Sequence, residues 1–217
     1  MSVSERRQQR VREMLAQRLG SVVVITEAIH RRHNTSAILR SAEAFGVHEV
    51  HLITGGFRAS RGATRGAERW LELHRWDALE DVLAHLRERG FALWVADLHP
   101  DAIPPDAVPV DKPVALLFGN ELNGVSDAAR AAADGFVIVP MFGLMESLNV
   151  SVAAACVLQH VTARRRAYGG SDLPADRQQT YFNDWLARES KMRAGVAARV
   201  HEDGPVLSRS DCPQDVS

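Results

Sequence analysis

Short apolar segments alternate with helical patterns along most of this chain. Strand candidates are SVVVIT, HEVHLI, FALWVA, VALLF and FVIV, which occupy residues 21–26, 48–53, 91–96, 114–118 and 136–139. Helical patterns lie between or after them, over residues 34–46, 77–89, a short stretch from 126, and 148–166. This alternation predicts an α/β fold, a parallel sheet with helices on both faces. Ligands bind such sheets beyond the carboxyl ends of the strands, so the loops after Ile53, Ala96, Phe118 and Val139 are candidate site loops.

Basic segments flank or interrupt this predicted sheet. Residues 5–18 form an arginine-rich amphipathic helical pattern, residues 54–69 predict a long loop with several arginines, and Arg164, Arg165 and Arg166 are consecutive. A last helix is expected over residues 176–200, and residues 201–217 are expected to be a disordered tail. Local basic patches on a chain of net charge −1 suit a polyanionic partner. Charge alone favours the simpler interpretation, that these are solvated helix faces.

Composition excludes several classes of protein. No apolar run is long enough to span a membrane, and the charged N-terminus MSVSERRQQR predicts no secretory signal. The chain has two cysteines, of which Cys156 lies in an apolar run and Cys212 in the polar tail. A structural disulfide is therefore not expected, and the predicted location is the cytoplasm.

Several common site motifs are absent from the sequence. It contains no G-x-G-x-x-G after a strand, no P-loop, no H-E-x-x-H and no paired Cys-x-x-Cys. An ordinary dinucleotide site and P-loop chemistry are therefore not predicted, and no metal is expected. His48 and His51 flank a strand and are expected to pack or to face solvent rather than to bind metal. Ser147 has no evident histidine and aspartate partners, so a hydrolase triad is weakly supported.

Three separated segments carry polar residues at element boundaries. In the first, HNTSAILR at 33–40, Asn34 is expected to cap a helix that carries Arg40 almost two turns later. In the second, LLFGNELNGVS at 116–126, Gly119 ends a buried strand and Glu121 places a carboxylate at the binding edge. In the third, VIVPMFGLMESLNVSV at 137–152, a strand stops at proline and Ser-Leu-Asn opens a helix. Taken singly, each segment also fits a helix cap or a glycine turn.

Taken together and in this order, the segments resemble the SpoU/TrmH family of RNA 2′-O-ribose methyltransferases, members of the SPOUT superfamily. The matching motifs are Asn34-x5-Arg40, then FGNE at 118–121, then IVPM at 138–141 with SLNVS at 147–151, and the resemblance extends over about residues 5–168. The resemblance implies S-adenosylmethionine as methyl donor, tRNA as substrate, a C-terminal trefoil knot and a homodimer. The implied target is the D-loop guanosine at tRNA position 18. The implied organisation is a basic tRNA-binding helix (1–20), a methyltransferase domain (21–168) and a helical extension (169–200).

The resemblance also implies roles for particular residues. Arg40 would lie closest to the ribose 2′-hydroxyl, and because arginine stays protonated its safer role is to bind a phosphate and polarise that hydroxyl. Glu121 would orient Arg40, and Asn34, Ser147 and Asn149 would shape the catalytic site. Backbone atoms at five loop positions would hold the methyl donor: Ala96, Gly119, Val139, Met141 and Leu148. Relatives carry threonine at the position of Ala96. Four arginines match positions that bind tRNA: Arg7, Arg10, Arg18 and Arg165.

Two alternatives stay open within or near this family. One is an rRNA 2′-O-methyltransferase, although such enzymes usually carry a longer N-terminal RNA-binding domain than the roughly twenty residues before the first predicted strand. The other is a non-catalytic RNA-binding relative, which the presence of Arg40, Glu121, Ser147 and Asn149 argues against.

Overall fold

A computed structural model of the chain describes residues 3–29, 31–53, 69–120 and 122–193. The strands are β1 (Leu19–Glu27), β2 (Val47–Ile53), β3 (Glu72–Trp76), β4 (Ala92–Ala96), β5 (Val114–Phe118) and β6 (Gly135–Val137). The helices are α1 (Glu5–Leu15), α2 (Arg32–Ala44), α3 (Leu79–Glu88), α4 (Asp127–Ala132), α5 (Val150–Gly169) and α6 (Ala175–Arg193).

The strands form one sheet in the order β3-β2-β1-β5-β4-β6, and every neighbouring pair is parallel. β5 lies inside the sheet and is buried along its whole length. Strands buried on both faces need apolar side chains pointing both ways, which is why VVVI in β1 and VALLF in β5 are continuous apolar runs. The predicted parallel α/β fold is therefore confirmed.

Alternate side chains of the central strands enter two separate cores. On one face, Val24 and Leu116 pack with residues of α2 and α5 such as Ile38 and Leu158. On the other face, Ile25, Leu117 and their neighbours pack with α3 and α4. Helices therefore cover both faces of the sheet, as the strand pattern predicted.

The edge strand β3 was not predicted. Its sequence, ELHRW, lacks an apolar run because most of its side chains are only partly buried and form polar contacts. Glu72 accepts hydrogen bonds from Arg177 and Tyr181 of α6, so polar contacts attach this edge to the C-terminal helix. α6 also packs against α1 in a third small core of Val3, Val11, Leu15, Phe182 and Trp185.

Element boundaries differ from the predictions in a few places. α2 begins at Arg32 with Arg31 as its N-cap, so the expectation that Asn34 caps this helix is wrong. β6 ends at Val137, and the long helix begins at Val150. The predicted cap at Ser126 is confirmed, since its hydroxyl accepts from the Ala129 amide at 3.1 Å. Most of the predicted 54–69 loop, the end of the predicted last helix and the 201–217 tail lie outside the described residues.

Among the residues that the structure describes, no helix combines the length and the hydropathy needed to cross a membrane.

Candidate active site

The carboxyl ends of four adjacent strands lie side by side in one row. Phe118 at the end of β5 is in register with Thr26 of β1 and with Ala96 of β4, and Ala96 is in register with Val137 of β6. The three polar segments follow β1, β5 and β6, so parallel pairing delivers all of them to the same edge of the sheet. This edge is where the parallel topology predicts a ligand site.

A hydrogen bond between two asparagine side chains joins the first segment to the third. Nδ2 of Asn149 lies 3.2 Å from Oδ1 of Asn34. Asn34 is 1% exposed within the first turn of α2, which explains why it is not a solvent-facing cap. Asn149 caps α5, because its Oδ1 accepts from the backbone amide and the hydroxyl of Ser151 at 2.9 and 2.6 Å. The Asn149 side chain therefore both caps α5 and binds the first segment through Asn34.

A second asparagine joins the second segment to the first. Nδ2 of Asn120 donates to the carbonyl of Ala28 at 2.8 Å, and its Oδ1 accepts from the amide of Leu122 at 2.7 Å. Ala28 has φ +49°, a left-handed conformation that is unfavourable for alanine. The Asn120 bond therefore fixes a strained turn between β1 and α2. Sequence reasoning quoted Asn120 within its motif but assigned it no role.

Gly119, predicted to bind the cofactor, makes a close backbone contact of its own. A side-chain carbon at this position would lie 2.4 Å from the carbonyl oxygen of Gly124, which has φ +68°. The two residues enclose a tight turn in which Asn120 and Gly124 exchange backbone hydrogen bonds of 2.8 and 3.0 Å. The glycine is thus required by the turn itself, which also brings the backbone after β5 to the binding edge.

The other predicted cofactor residues lie on neighbouring loops of the same edge. Ala96 ends β4, Val139 follows β6 and packs partly against the core, and Met141 is half-buried. Leu148 is 39% exposed, and Leu98 in the loop after β4 is 61% exposed. Partly exposed apolar side chains beside loop backbone fit a ligand with an apolar ring and polar groups, such as S-adenosylmethionine.

The predicted catalytic residues fall into three groups. Asn34 and Asn149 are brought together, as described above. Arg40 is an exposed side chain of α2, and Ser147 is exposed in the loop before α5. Glu121 lies outside the described residues.

Arg18, predicted to bind tRNA, is buried inside the protein. Its side chain is 1% exposed and contacts the Glu43 carboxylate at 2.8 Å and the Val47 carbonyl at 2.7 Å. Burial lowers the pKa of this guanidinium, and the Glu43 carboxylate opposes the shift. Its donors are directed at protein acceptors rather than at solvent, so Arg18 is removed from the candidate RNA surface.

The arginine triplet at the end of α5 also binds the protein itself. Arg165, predicted to bind tRNA, donates to Ser21 Oγ at 2.7 Å and to the Val110 carbonyl at 2.6 Å, and its side chain is 13% exposed. Arg164 donates to the Val108 carbonyl, and Arg166 donates to the carbonyls of Gln17 and Phe45. Arginine has several donors in a planar fork, which suits it to join loops through their carbonyl oxygens. The basic triplet is therefore a set of structural clamps.

Arg7 and Arg10 of α1 are exposed, as binding to a polyanion requires. The Arg7 guanidinium lies 5.7 Å from the Trp185 ring centre and 6.0 Å from that of Trp70. These aromatic contacts orient Arg7 while leaving it accessible.

The fold and the site define an open parallel α/β protein whose candidate site lies at the carboxyl edge of its strands. The sequence model of the SpoU rRNA Methylase family matches residues 21–159, which include the three segments. The chain belongs to the SpoU methylase family.

Named relatives agree with this assignment. A Thermus thermophilus protein named tRNA (guanosine(18)-2′-O)-methyltransferase is 38% identical over 190 residues, which cover 85% of this chain and 98% of the relative. The crystal structure of the A. aeolicus TrmH/SpoU tRNA modifying enzyme superposes with a TM-score of 0.76 at 30% identity, covering 85% of this chain and 97% of that one. The methyltransferase AviRb from Streptomyces viridochromogenes, in complex with the cofactor AdoMet, superposes with a TM-score of 0.58 at 26% identity, covering 69% of this chain and 58% of that one.

Replacing Arg18 separates a structural role from an RNA-binding role. We expect Arg18→Met to lower the free energy of unfolding by about 2 kcal/mol, because the Val47 carbonyl and the Glu43 carboxylate lose their shared donor. Urea denaturation measures this change, and the matched surface variant Arg10→Met should change stability by less than about 0.5 kcal/mol. Unchanged stability together with weaker tRNA binding in Arg18→Met would show that Arg18 serves the RNA after all.

Proposed function

We propose that this protein transfers a methyl group from S-adenosylmethionine to the ribose 2′-hydroxyl of guanosine 18 in the tRNA D-loop. The observation that carries the proposal is the convergence of the three motif segments at one sheet edge, where Asn149 binds Asn34 at 3.2 Å. The substrate is supported by the Thermus relative, which carries that activity in its name at 38% identity over most of both chains. The methyl donor is supported by AdoMet in the related AviRb complex.

The loops at the ends of β4, β5 and β6 would hold the methyl donor. Leu98 and Leu148 offer apolar surface for its adenine ring, and backbone groups near Gly119, Val139 and Met141 would bind its polar atoms. When bound, S-adenosylmethionine supplies a sulfonium methyl group. The backbone character of this site agrees with the absence of a glycine-rich fingerprint in the sequence.

Arg40 would act on the receiving hydroxyl. A 2′-hydroxyl is a weak nucleophile, so it needs to be positioned and to lose its proton as the methyl group transfers. The exposed guanidinium of Arg40 would bind an adjacent phosphate and polarise the hydroxyl, and the phosphate would assist deprotonation. Asn34 and Asn149 would fix the position of α2, which carries Arg40, while Ser147 and Glu121 complete the proposed site.

Replacing Arg40 tests this role. We expect Arg40→Ala to lower the single-turnover rate constant at saturating tRNA by about a hundredfold or more, the usual effect of losing a group that assists proton transfer. Single-turnover transfer from labelled S-adenosylmethionine to tRNA, with mapping of the methylated nucleotide, measures the rate and the position together. The control is Arg75→Ala, an exposed arginine of the far edge strand β3.

Near-normal turnover in Arg40→Ala would contradict the assigned role. Methylation of rRNA in place of tRNA by the wild-type protein would contradict the substrate.

The exposed arginines of α1 form the proposed tRNA surface. Phosphate contacts release counterions, so the binding constant should fall steeply as salt increases. We expect the double variant Arg7→Ala/Arg10→Ala to reduce the slope of log K against log salt by about 2, close to one per lost contact. Filter binding or fluorescence anisotropy with tRNA over a range of salt measures the slope. A flat salt dependence in the wild-type protein would argue against this surface.

The knot and the homodimer expected of the family are part of the same proposal. The loop before α5 exposes three large apolar side chains: Phe142 at 99%, Leu144 at 103% and Met145 at 76%. Neighbouring apolar side chains of this size are unusual on a free surface and favour burial against a partner. A second copy would cover them beside the candidate site and place that site at the interface.

Light scattering tests the dimer. We expect a mass of twice 23.9 kDa at micromolar concentration. The double variant Phe142→Asp/Leu144→Asp should shift the mass towards a monomer and lose methyl transfer, because charged groups would be buried in the interface. A wild-type monomer at these concentrations would overturn the dimer while leaving the assigned reaction to be tested by the methylation assay.

The proposal also implies that the protein is located in the cytoplasm, where tRNA is available. Cys156, a free thiol, is compatible with a reducing compartment.

A further inference from the structure

A cluster of histidines and glutamates fills the junction between β2 and the edge strand β3. Glu49 and Glu72 are in register on these neighbouring strands, as are His51 and His74. The Glu49 side chain is 3% exposed, and those of Glu72 and His74 are each 30% exposed. Two carboxylates placed side by side and largely out of solvent need compensating positive charge nearby.

Two arginines balance these two negative charges from outside the cluster. Arg89 binds both oxygens of Glu49, at 2.6 and 2.8 Å. Arg177, together with Tyr181, binds Oε2 of Glu72. The second oxygen of Glu72, Oε1, faces inward towards His74.

Nε2 of His74 lies between the two carboxylates. It is 3.6 Å from Oε1 of Glu49 and 3.5 Å from Oε1 of Glu72. Both distances are longer than an N–H···O hydrogen bond, whose usual limit is about 3.2 Å. Nε2 is buried and has no hydrogen-bond partner among the residues that the structure describes.

These separations are compatible with atoms that share a metal ion. Ligands bound at about 2.0–2.1 Å in a tetrahedral zinc site lie about 3.3 Å from one another. One ligand atom from each of Glu49, Glu72 and His74 can be chosen so that all lie within 4.8 Å of one another. Carboxylate and imidazole ligands suit zinc, and hydrogen bonds from arginine to ligating carboxylates are ordinary outer contacts of such a site.

His51 and His48 surround this point. Nδ1 of His51 accepts from the Trp76 indole at 3.0 Å, so its ring proton is on Nε2, 3.0 Å from Oε1 of Glu49. This Nε2 contacts the Glu49 carboxylate without hydrogen-bond geometry, and because it carries the ring proton His51 is not itself a ligand. The His48 side chain is 3% exposed and points Nε2 at Oε2 of Glu72 from 3.9 Å. Neither of its ring nitrogens has a hydrogen-bond partner in the described part of the chain.

We propose that Glu49, Glu72 and His74 bind one zinc-type divalent cation that fastens the edge strand β3 to β2. The site is distinct from the candidate active site, because Glu49 and Glu72 lie towards the amino ends of their strands. Its role is structural, since it joins β2 and β3 and, through Arg177 and Tyr181, the C-terminal helix.

Zinc binding by the full-length protein tests the proposal. After removal of metal with a chelator, titration with zinc chloride against a competing chromophoric chelator should show one ion per chain at micromolar affinity or better, and the melting temperature should rise. His74→Phe keeps a ring stacked on His51 and removes the ligand atom, so we expect it to weaken binding at least thirtyfold. The matched control is His160→Phe, which changes an exposed histidine of α5 and should leave binding unchanged.

Two further measurements test the site if the His74→Phe variant does not fold. Glu72→Gln should weaken binding in the same way, and in the wild-type protein zinc should shift the ring-nitrogen resonances of His74 in long-range ¹H–¹⁵N spectra. The proposal is overturned if the wild-type protein binds no zinc, if the folded variants keep full affinity, or if the shifted resonances belong to another histidine.

Discussion

β5 is hydrogen-bonded to β1 on one side and to β4 on the other, and every one of its side chains is buried. This double pairing sets the register in which the strands of both halves of the sheet end. A slip of one residue in a strand buried on both faces would exchange the side chains of its two cores, so the register is strongly specified. The aligned ends of β1, β5, β4 and β6 are therefore a consequence of core packing, and the site inherits its geometry from them.

Short polar contacts then convert aligned strand ends into a defined site. Asn120 holds the turn after β1, and Asn149 holds Asn34 in the first turn of α2. Ser126 adds a third link, since its amide donates to the Glu27 carboxylate at 2.9 Å. Buried amide groups are costly unless hydrogen-bonded, so these contacts specify one arrangement of the loops. In the proposed function, these loops present backbone to the methyl donor and α2 presents Arg40 to the substrate.

Sequence patterns predicted the elements that are stabilised by apolar packing. The central strands and the long helix α5 could be predicted from their apolar runs and periodicity, because their buried positions require apolar side chains. The edge strand β3 could not be predicted in this way, since ELHRW is held by a network of charged and aromatic contacts to residues distant in sequence. The N-cap assigned to Asn34 was wrong for a related reason. Its partner Asn149 is 115 residues away, and no local rule contains that contact.

The arginines show that local sequence also fails to predict which charged residues of the candidate site are exposed. The family resemblance grouped Arg18 and Arg165 with Arg7 and Arg10 as tRNA-binding residues, but the first two are held inside the protein by carbonyl and carboxylate acceptors. Charge patterns count donors and do not show where the acceptors lie. The motif residues were found in order and spacing by their resemblance to a family, and the sheet register explains physically why such distant segments can act together.

The claim that the aligned strand ends form the methyl-donor site is tested most directly by amide hydrogen exchange with and without S-adenosylmethionine. The account predicts slower exchange in the segments that follow β4, β5 and β6, at residues 97–99, 119–124 and 138–149, with little change in β2, β3 and α6. Protection confined to the β2–β3 edge or to α1 and α6, with no change after β5 and β6, would contradict it.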